Sequence, residues 1–282
     1  MTRVNFDGLQ SFYTLSNGRP IPLLGLGVYL IEPGKATEDA VLWALQAGYR
    51  HIDTASIYRN EVSVGNAIRK SGIPREQIFV TTKLFDRDHG FDSALAACER
   101  SLEKLGLDYV DLYLIHSPNP GAERRHESWN ALQKLVALGK VKSIGVSNYG
   151  VHHLKELLGS NPTIRPVVNQ IEVHPWLARR EIVTFCESQN IAIEAYSPLS
   201  RGHKLQDPVV NKIAVKYSKS PAQILIRWSL QKGYIVLPKS SHKERIEQNS
   251  EVFDFDLADG DMDILDSLDE GYVSGWDPTV AP

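Results

Sequence analysis

Val110-Asp-Leu-Tyr-Leu-Ile-His116 is a short run that is apolar on both faces of its alternation and ends on a polar, titratable residue. A strand that buries both faces belongs to a parallel sheet covered by helices. The run is followed by a helical pattern over Glu127–Leu138 and then by a second strand pattern, Lys142–Val146. Working outward in both directions, the same alternation repeats. Upstream, strand patterns at Leu24–Val28, His51–Thr54 and Gln77–Lys83 precede helical patterns at Thr37–Ala47, Glu61–Lys70 and Ser93–Leu105. Downstream, Val151–Leu158 is helical, Val167–Glu172 is a strand and Arg179–Gln189 is a helix. Ala192–Tyr196 is a strand followed by two helical patterns, Val209–Tyr217 and Pro221–Gln231. Tyr234–Leu237 is the last strand, before helical patterns at Lys243–Asn249 and Asp259–Leu268. Glycines follow several helices (Gly48, Gly72, Gly106, Gly139, Gly233), as left-handed C-terminal caps require.

The chain of 282 residues thus reads as eight strand-then-helix units without a break in composition. That predicts an α/β fold, a closed (β/α)8 TIM barrel, over the rival open doubly wound sheet. One domain over 1–282 is expected, with the barrel over about 24–250, two additional helices, and a C-terminal helix and tail over about 258–282. Phe12–Leu23, with Asn17-Gly18 as its turn, is expected to be a β-hairpin capping the lower end of the barrel.

Composition excludes several function classes. With 42% hydrophobic and 23% charged residues the chain can bury a core. A net charge of −3 argues against a protein held to nucleic acid by phosphate neutralisation. Two cysteines, Cys98 and Cys186, make no disulfide scaffold and read as buried thiols. The start has no apolar signal core and no run approaches the roughly 18 residues that span a bilayer. A cytoplasmic protein with no membrane or nucleic-acid partner is expected.

Two familiar ligand motifs fail. Gly25-Leu-Gly27-Val-Tyr-Leu30 has leucine where a dinucleotide fingerprint needs its third glycine. No His-x-His, His-Glu-x-x-His or Cys-x-x-Cys occurs, so no metal site is expected, and His152-His153 reads as a solvated helix face. What remains is a row of polar residues at strand C-terminal ends, where barrels carry their chemistry. Asp53 ends the second strand, with Tyr58 in the loop beyond. Lys83 ends the third and His116 the fourth. A buried Lys83 needs the counter-charge of Asp53. An ammonium beside a phenol favours phenolate, so Tyr58 is expected to titrate below its ordinary value and serve as an acid–base group. His116 can donate to a carbonyl oxygen and orient it. An acid beside such a donor suits carbonyl reduction. A barrel-end lysine also admits a Schiff-base lyase.

Longer motifs carry a family resemblance. Gly48-Tyr-Arg-His-Ile-Asp-Thr-Ala55 with Tyr58, Asn60-Glu61 and Val64-Gly65-Asn-Ala67 resembles the aldo-keto reductase signature, and Leu237-Pro-Lys-Ser-Ser241 with Arg245 and Asn249 resembles its C-terminal signature. Gly145-Val-Ser-Asn148, Asn169-Gln170 and Ala195-Tyr-Ser-Pro-Leu199 fall between them at strand ends. Within the family the chain looks most like compact microbial and fungal reductases. The resemblance implies NADPH-dependent reduction of an aldehyde or ketone, with Asp53, Tyr58, Lys83 and His116 as the catalytic tetrad and Tyr58 as proton donor. It implies that the nicotinamide stacks on Tyr196 while Ser147, Asn148 and Gln170 hold its carboxamide. Ser197, Leu199 and Arg201 fall where the family covers the pyrophosphate; Lys239, Ser240 and Arg245 where it grips the 2′-phosphate; Asn249, beside Gln248, where it meets adenine. Since the family includes cofactor-bound channel subunits, a non-catalytic regulatory role is a further alternative, and a monomer is expected.

Departures bear on substrate. Ser117 and Phe85 stand where the family often has tryptophan, and Gln248 replaces a frequent acidic residue. The loop after the fourth strand and the tail are short, which predicts an open pocket. Tyr29, Phe85 and Trp276 are its expected walls. Trp129 is a weaker candidate, because Leu132 and Leu135 continue its helical face into a core.

Overall fold

The computed structural model describes residues 4–282, so the first three residues of the expected domain lie outside it. Strands β1 (Val4–Asn5), β2 (Phe12–Thr14) and β3 (Pro20–Pro22) form a small antiparallel sheet in that order. Eight parallel strands follow: β4 (Leu26–Gly27), β5 (His51–Asp53), β6 (Phe79–Leu84), β7 (Val110–Ile115), β8 (Val141–Ser147), β9 (Val168–Glu172), β10 (Ala192–Tyr196) and β11 (Ile235–Leu237). They lie side by side in sequence order. The two edge strands then meet: Val236 N donates to Leu23 O at 2.7 Å, Gly25 N to Val236 O at 2.9 Å and Gly27 N to Pro238 O at 3.0 Å. That contact closes the sheet into a barrel and leaves no parallel edge unpaired.

Helices α1 (Lys35–Gln46), α2 (Glu61–Ser71), α3 (Phe91–Leu105), α4 (Ala122–Ala137), α5 (Val151–Gly159) and α6 (Arg180–Ser188) each follow one strand. β10 is followed by α7 (Pro208–Tyr217) and α8 (Pro221–Gln231), β11 by α9 (Lys243–Ser250) and α10 (Asp259–Asp266). The expected eight units and two additional helices are all present. Gly72 and Gly106 end α2 and α3 at φ of 68° and 64°, the left-handed caps read from sequence. Ser220 and Gln223 form a reciprocal capping box at the start of α8, with Pro221 in the first turn.

Some boundaries move. α4 begins at Ala122, before the expected Glu127. Its first turn, Ala-Glu-Arg-Arg-His, shows no apolar stripe because Arg125 occupies the inner face. That guanidinium is buried on Pro118 O and the Glu156 carboxylate instead of an aliphatic core. Gln77 closes a 3-10 turn, and the strand starts at Phe79. The first barrel strand shrinks to Leu26–Gly27, although Leu24 still bridges Val236. The hairpin gains β1 as a third strand, too short to carry a pattern. Its turn residue Asn17 donates to Ser143 Oγ at 3.0 Å, near the start of β8, so the hairpin does lie over the N-terminal end of the barrel. Strand C-terminal ends therefore open at the other mouth.

Candidate active site

Parallel register brings the polar strand ends together. Asp53 stands opposite Thr81, two residues before Lys83, and a 3-10 turn over Ser56–Tyr58 folds the phenol back over them. Lys83 is fully buried. Its Nζ donates to Asp53 Oδ1 at 2.7 Å, to the Thr54 carbonyl at 2.9 Å and to Tyr58 OH at 3.4 Å. Burial pushes the Asp53 carboxyl up from its ordinary value, against the pull of Lys83 and of the Gln170 amide. The His116 ring lies edge-on to Tyr58, centroids 5.7 Å apart. Burial first, and then the Lys83 charge, hold its pKa well below the usual imidazole value, so His116 is a neutral donor.

Tyr58 corrects an expectation. Lys83 does not bring the phenol down; burial, with the Asp53, Tyr29 and Glu194 charges, holds it well above its ordinary value. One ammonium at 3.4 Å is outweighed by lost hydration of the phenolate and by nearby carboxylates. The tyrosine therefore keeps its proton until a stronger base presents itself.

A second cluster adjoins the first. Ser147 pairs with Gln170, and Gln170 with Glu194, across β8, β9 and β10. Asn148, at φ 62°, donates from Nδ2 to His116 O at 2.8 Å and to Ser147 Oγ at 3.1 Å, and accepts from Tyr196 OH at 2.8 Å. The Tyr196 ring is thereby fixed at the mouth. Gln170 Nε2 donates to Asp53 Oδ2 at 2.9 Å and to Glu194 Oε2 at 2.7 Å. Glu194 and His51 were missed by sequence reasoning, though a lone Glu inside the apolar run Ala-Ile-Glu-Ala was the available signal.

All but one of the residues expected at the site line one cavity of about 980 Å³. Asp53, Tyr58 and His116 share it with Tyr29, Phe85 and Trp276, and with Ser147, Asn148, Gln170, Tyr196, Ser197, Leu199 and Arg201. Its far end holds Lys239, Ser240, Arg245, Gln248 and Asn249. Lys83 is the exception, lying beneath the floor. Lys239 and Arg245 are exposed and make no ion pair among the described residues; partial burial lowers the Lys239 pKa. Trp129 is not part of the cavity: it lies on the buried face of α4 and donates from Nε1 to Ile164 O at 3.0 Å.

The expected open rim is corrected on one side. Ser274, Gly275 and Trp276 of the tail line the cavity. The strap is tied by Arg179 to Asp277 at 2.8 Å and by Ser274 N to Glu172 Oε1 at 2.9 Å. Arg201 reaches across from the loop after β10, toward Ser274 O and to 5.9 Å from the Tyr29 ring centroid. The tail is short but anchored by partners far away in sequence.

The sequence model of the Aldo/keto reductase family matches residues 31–270. The chain belongs to the aldo/keto reductase family. It is 50% identical over 268 residues to the 9,11-endoperoxide prostaglandin H2 reductase of Trypanosoma cruzi, covering 94% of each chain. It is 46% identical over 270 residues to the glyoxal reductase of Bacillus subtilis, covering 96% of this chain and 97% of the relative. A solved aldo-keto reductase of Bombyx mori in complex with NADP matches with a TM-score of 0.87 and 40% identity, over 93% of this chain and 94% of that one.

In this aldo/keto reductase the loop after β7 is held down at Ser117. Ser117 is fully buried and donates from Oγ to Asp86 Oδ1 at 2.5 Å, tying the loop after β7 to the loop after β6. Among the described residues no cluster could hold a metal ion, and no helix is long and apolar enough to cross a membrane. Cys98 and Cys186 are free and buried. His152 and His153 are not a plain solvated face: Nε2 of each lies 2.8 Å from Ala281 O, a carbonyl that can only accept, so the rings donate to it.

Proposed function

We propose that the protein is an NADPH-dependent reductase of aldehydes or ketones, with Tyr58 as the proton donor. The observation that carries this reading is the Asp53–Lys83–Tyr58 cluster at the floor of a cavity whose far end carries two unpaired cations. The residues fit the cofactor: Lys239 and Arg245 suit a phosphate, Arg245 lying in the first turn of α9 where the helix N-terminus also favours an anion. Tyr196, held by Asn148, presents a fixed ring. Bound NADPH would supply a hydride to the carbonyl carbon.

The chain's own residues do the rest. Neutral His116 donates to the carbonyl oxygen and turns it toward Tyr58. Tyr58 holds its proton at the phenolic oxygen while the substrate binds and gives it up only as an alkoxide, a far stronger base than phenolate, develops beside it. Lys83 then stabilises the phenolate that remains, and Asp53 keeps that ammonium in place. Tyr29, Phe85 and Trp276 form apolar walls at the rim.

The geometry speaks against a Schiff-base lyase. Lys83 lies outside the cavity lining with its ammonium committed to three oxygen partners. The chain acts as one barrel domain and needs no second subunit, because every assigned residue lies on it. NADPH oxidation with a panel of simple aldehydes, dicarbonyls and ketones tests it. Carbonyl-dependent turnover is expected, whereas a folded protein that turns over none of them fits the regulatory alternative.

A further inference from the structure

Glu194 is a carboxyl group on β10 with no exposed surface, joined through Gln170 to the Asp53 carboxylate, and the mechanism above does not use it. Its Oε2 accepts from Gln170 Nε2 at 2.7 Å. Its Oε1 has no hydrogen-bond partner among the described residues and lies 3.5 Å from His51 Nε2. His51 Nδ1 faces the Pro22 carbonyl at 3.4 Å. A carbonyl only accepts, so Nδ1 carries the ring hydrogen and Nε2 of the neutral ring is an acceptor. The Thr81 hydroxyl also reaches Nε2, at 3.2 Å, but makes no bond to Oε1. An ionised Glu194 would thus set an unpartnered, fully buried carboxylate oxygen against an acceptor nitrogen whose one lone pair the Thr81 hydroxyl already meets. A proton on Oε1 removes that conflict.

We propose that Glu194 is a positioning residue of this site, held as a neutral acid whose Oε1 hydrogen faces His51 and whose Oε2 fixes the Gln170 amide. The proposal rests on the reductase reading. With one Gln170 hydrogen on Asp53 and the other on Glu194, only the Gln170 carbonyl remains for a ligand. That atom accepts from an amide N–H, such as that of a carboxamide, and cannot donate.

The surroundings agree with a neutral acid. β5 presents Asp53 and His51, the turn after it Tyr58, and β6 Lys83, while β11 places apolar Ile235 in register. Burial first, and then the Asp53 charge, push the Glu194 pKa up to about 8, while the Gln170 hydrogen bond and Lys83 pull it down. Burial likewise brings His51 down to about 3, which keeps its ring neutral. On losing its proton, Glu194 would add a negative charge that holds the Tyr58 proton more tightly.

Infrared pH titration of the purified protein and of Glu194→Gln tests the protonation. The wild type should show the carbonyl stretch of a protonated carboxylic acid, fading with a midpoint near pH 8, and Glu194→Gln should lack it. NADP+ titration by tryptophan fluorescence tests the positioning. Glu194→Leu should weaken binding roughly tenfold, the order expected for one lost hydrogen bond to a buried amide, and Glu194→Gln should recover most of it. In turnover, the ratio of kcat at high pH to kcat at neutral pH should rise in Glu194→Gln. No difference in the acid band between wild type and Glu194→Gln, or wild-type NADP+ affinity in Glu194→Leu, overturns the proposal. If Glu194→Leu does not fold, the Glu194→Gln spectrum and pH ratio still decide. Wild-type protein that binds no NADP+ overturns it through the reductase reading, and the infrared arm tells the two failures apart.

Discussion

Replacing Asp53 by Asn keeps the shape of the side chain and removes the counter-charge of a lysine that has no exposed surface. The Lys83 ammonium keeps the Thr54 carbonyl and Tyr58 hydroxyl but loses the Asp53 carboxylate, at 2.7 Å. Breaking a buried pair from one side costs about 3–5 kcal/mol. Glu194, freed from the Asp53 charge, ionises more readily and offsets part of this, so the lower end, about 3 kcal/mol, is expected near neutral pH. An unfolding entropy of about 2.1 cal/mol/K per residue gives about 0.6 kcal/mol/K for a chain of this length, hence a fall in Tm of about 5 °C. Lys83→Met removes the other partner, and the double variant removes both buried charges. The double variant should therefore lose at least about 2 kcal/mol less than the sum of the singles. Denaturant unfolding of the ligand-free proteins, followed by circular dichroism, gives all three values. A loss below about 1 kcal/mol in Asp53→Asn, or strict additivity in the cycle, would refute the buried ion pair as described.

Three further outcomes follow from particular contacts. Lys239→Ala/Arg245→Ala should raise KM for NADPH by roughly two orders of magnitude while sparing NADH, from the loss of two charge-assisted contacts; an unchanged ratio would sink the phosphate assignment. Gly65→Ala should destabilise the protein at the upper end of about 1–3 kcal/mol, because a Cβ there would sit 1.9 Å from Leu105 O, where α2 crosses the end of α3; thermal unfolding reads it. Glu194 takes up a proton on folding, since its pKa of about 8 exceeds the ordinary 4.5. That contribution is complete below the ordinary value and is lost as pH rises through the folded one. The stability of Glu194→Gln relative to wild type should therefore increase between about pH 5 and pH 9, and a constant gap would contradict a buried acid.

The barrel was legible because strands buried on both faces leave apolar runs, and glycines such as Gly72 and Gly106 mark where the helices between them stop. The strand-end residues were legible for the same reason, since a polar group closing an apolar run has few places to go. Residues held by distant partners were not. The strap over residues 274–282 has no periodicity, and its position depends on Arg179 meeting Asp277, 98 positions away. The buried Arg125 hid the first turn of α4 by filling a core position with a charge. The Tyr58 pKa was not legible because sequence places Lys83 beside the phenol but does not report the dehydration that, with the Asp53 charge, outweighs it.

The chemistry of the site turns on Tyr58 handing its proton to a carbonyl reduced with NADPH. The most direct measurement is single-turnover oxidation of bound NADPH by an aldehyde, in wild type and in Tyr58→Phe, with folding and NADPH binding checked by circular dichroism and fluorescence. Removing only the phenolic oxygen should slow the step by roughly 10²–10⁴-fold, with cofactor affinity held within a few-fold. A Tyr58→Phe protein that binds NADPH and reduces the aldehyde at the wild-type rate would contradict the account.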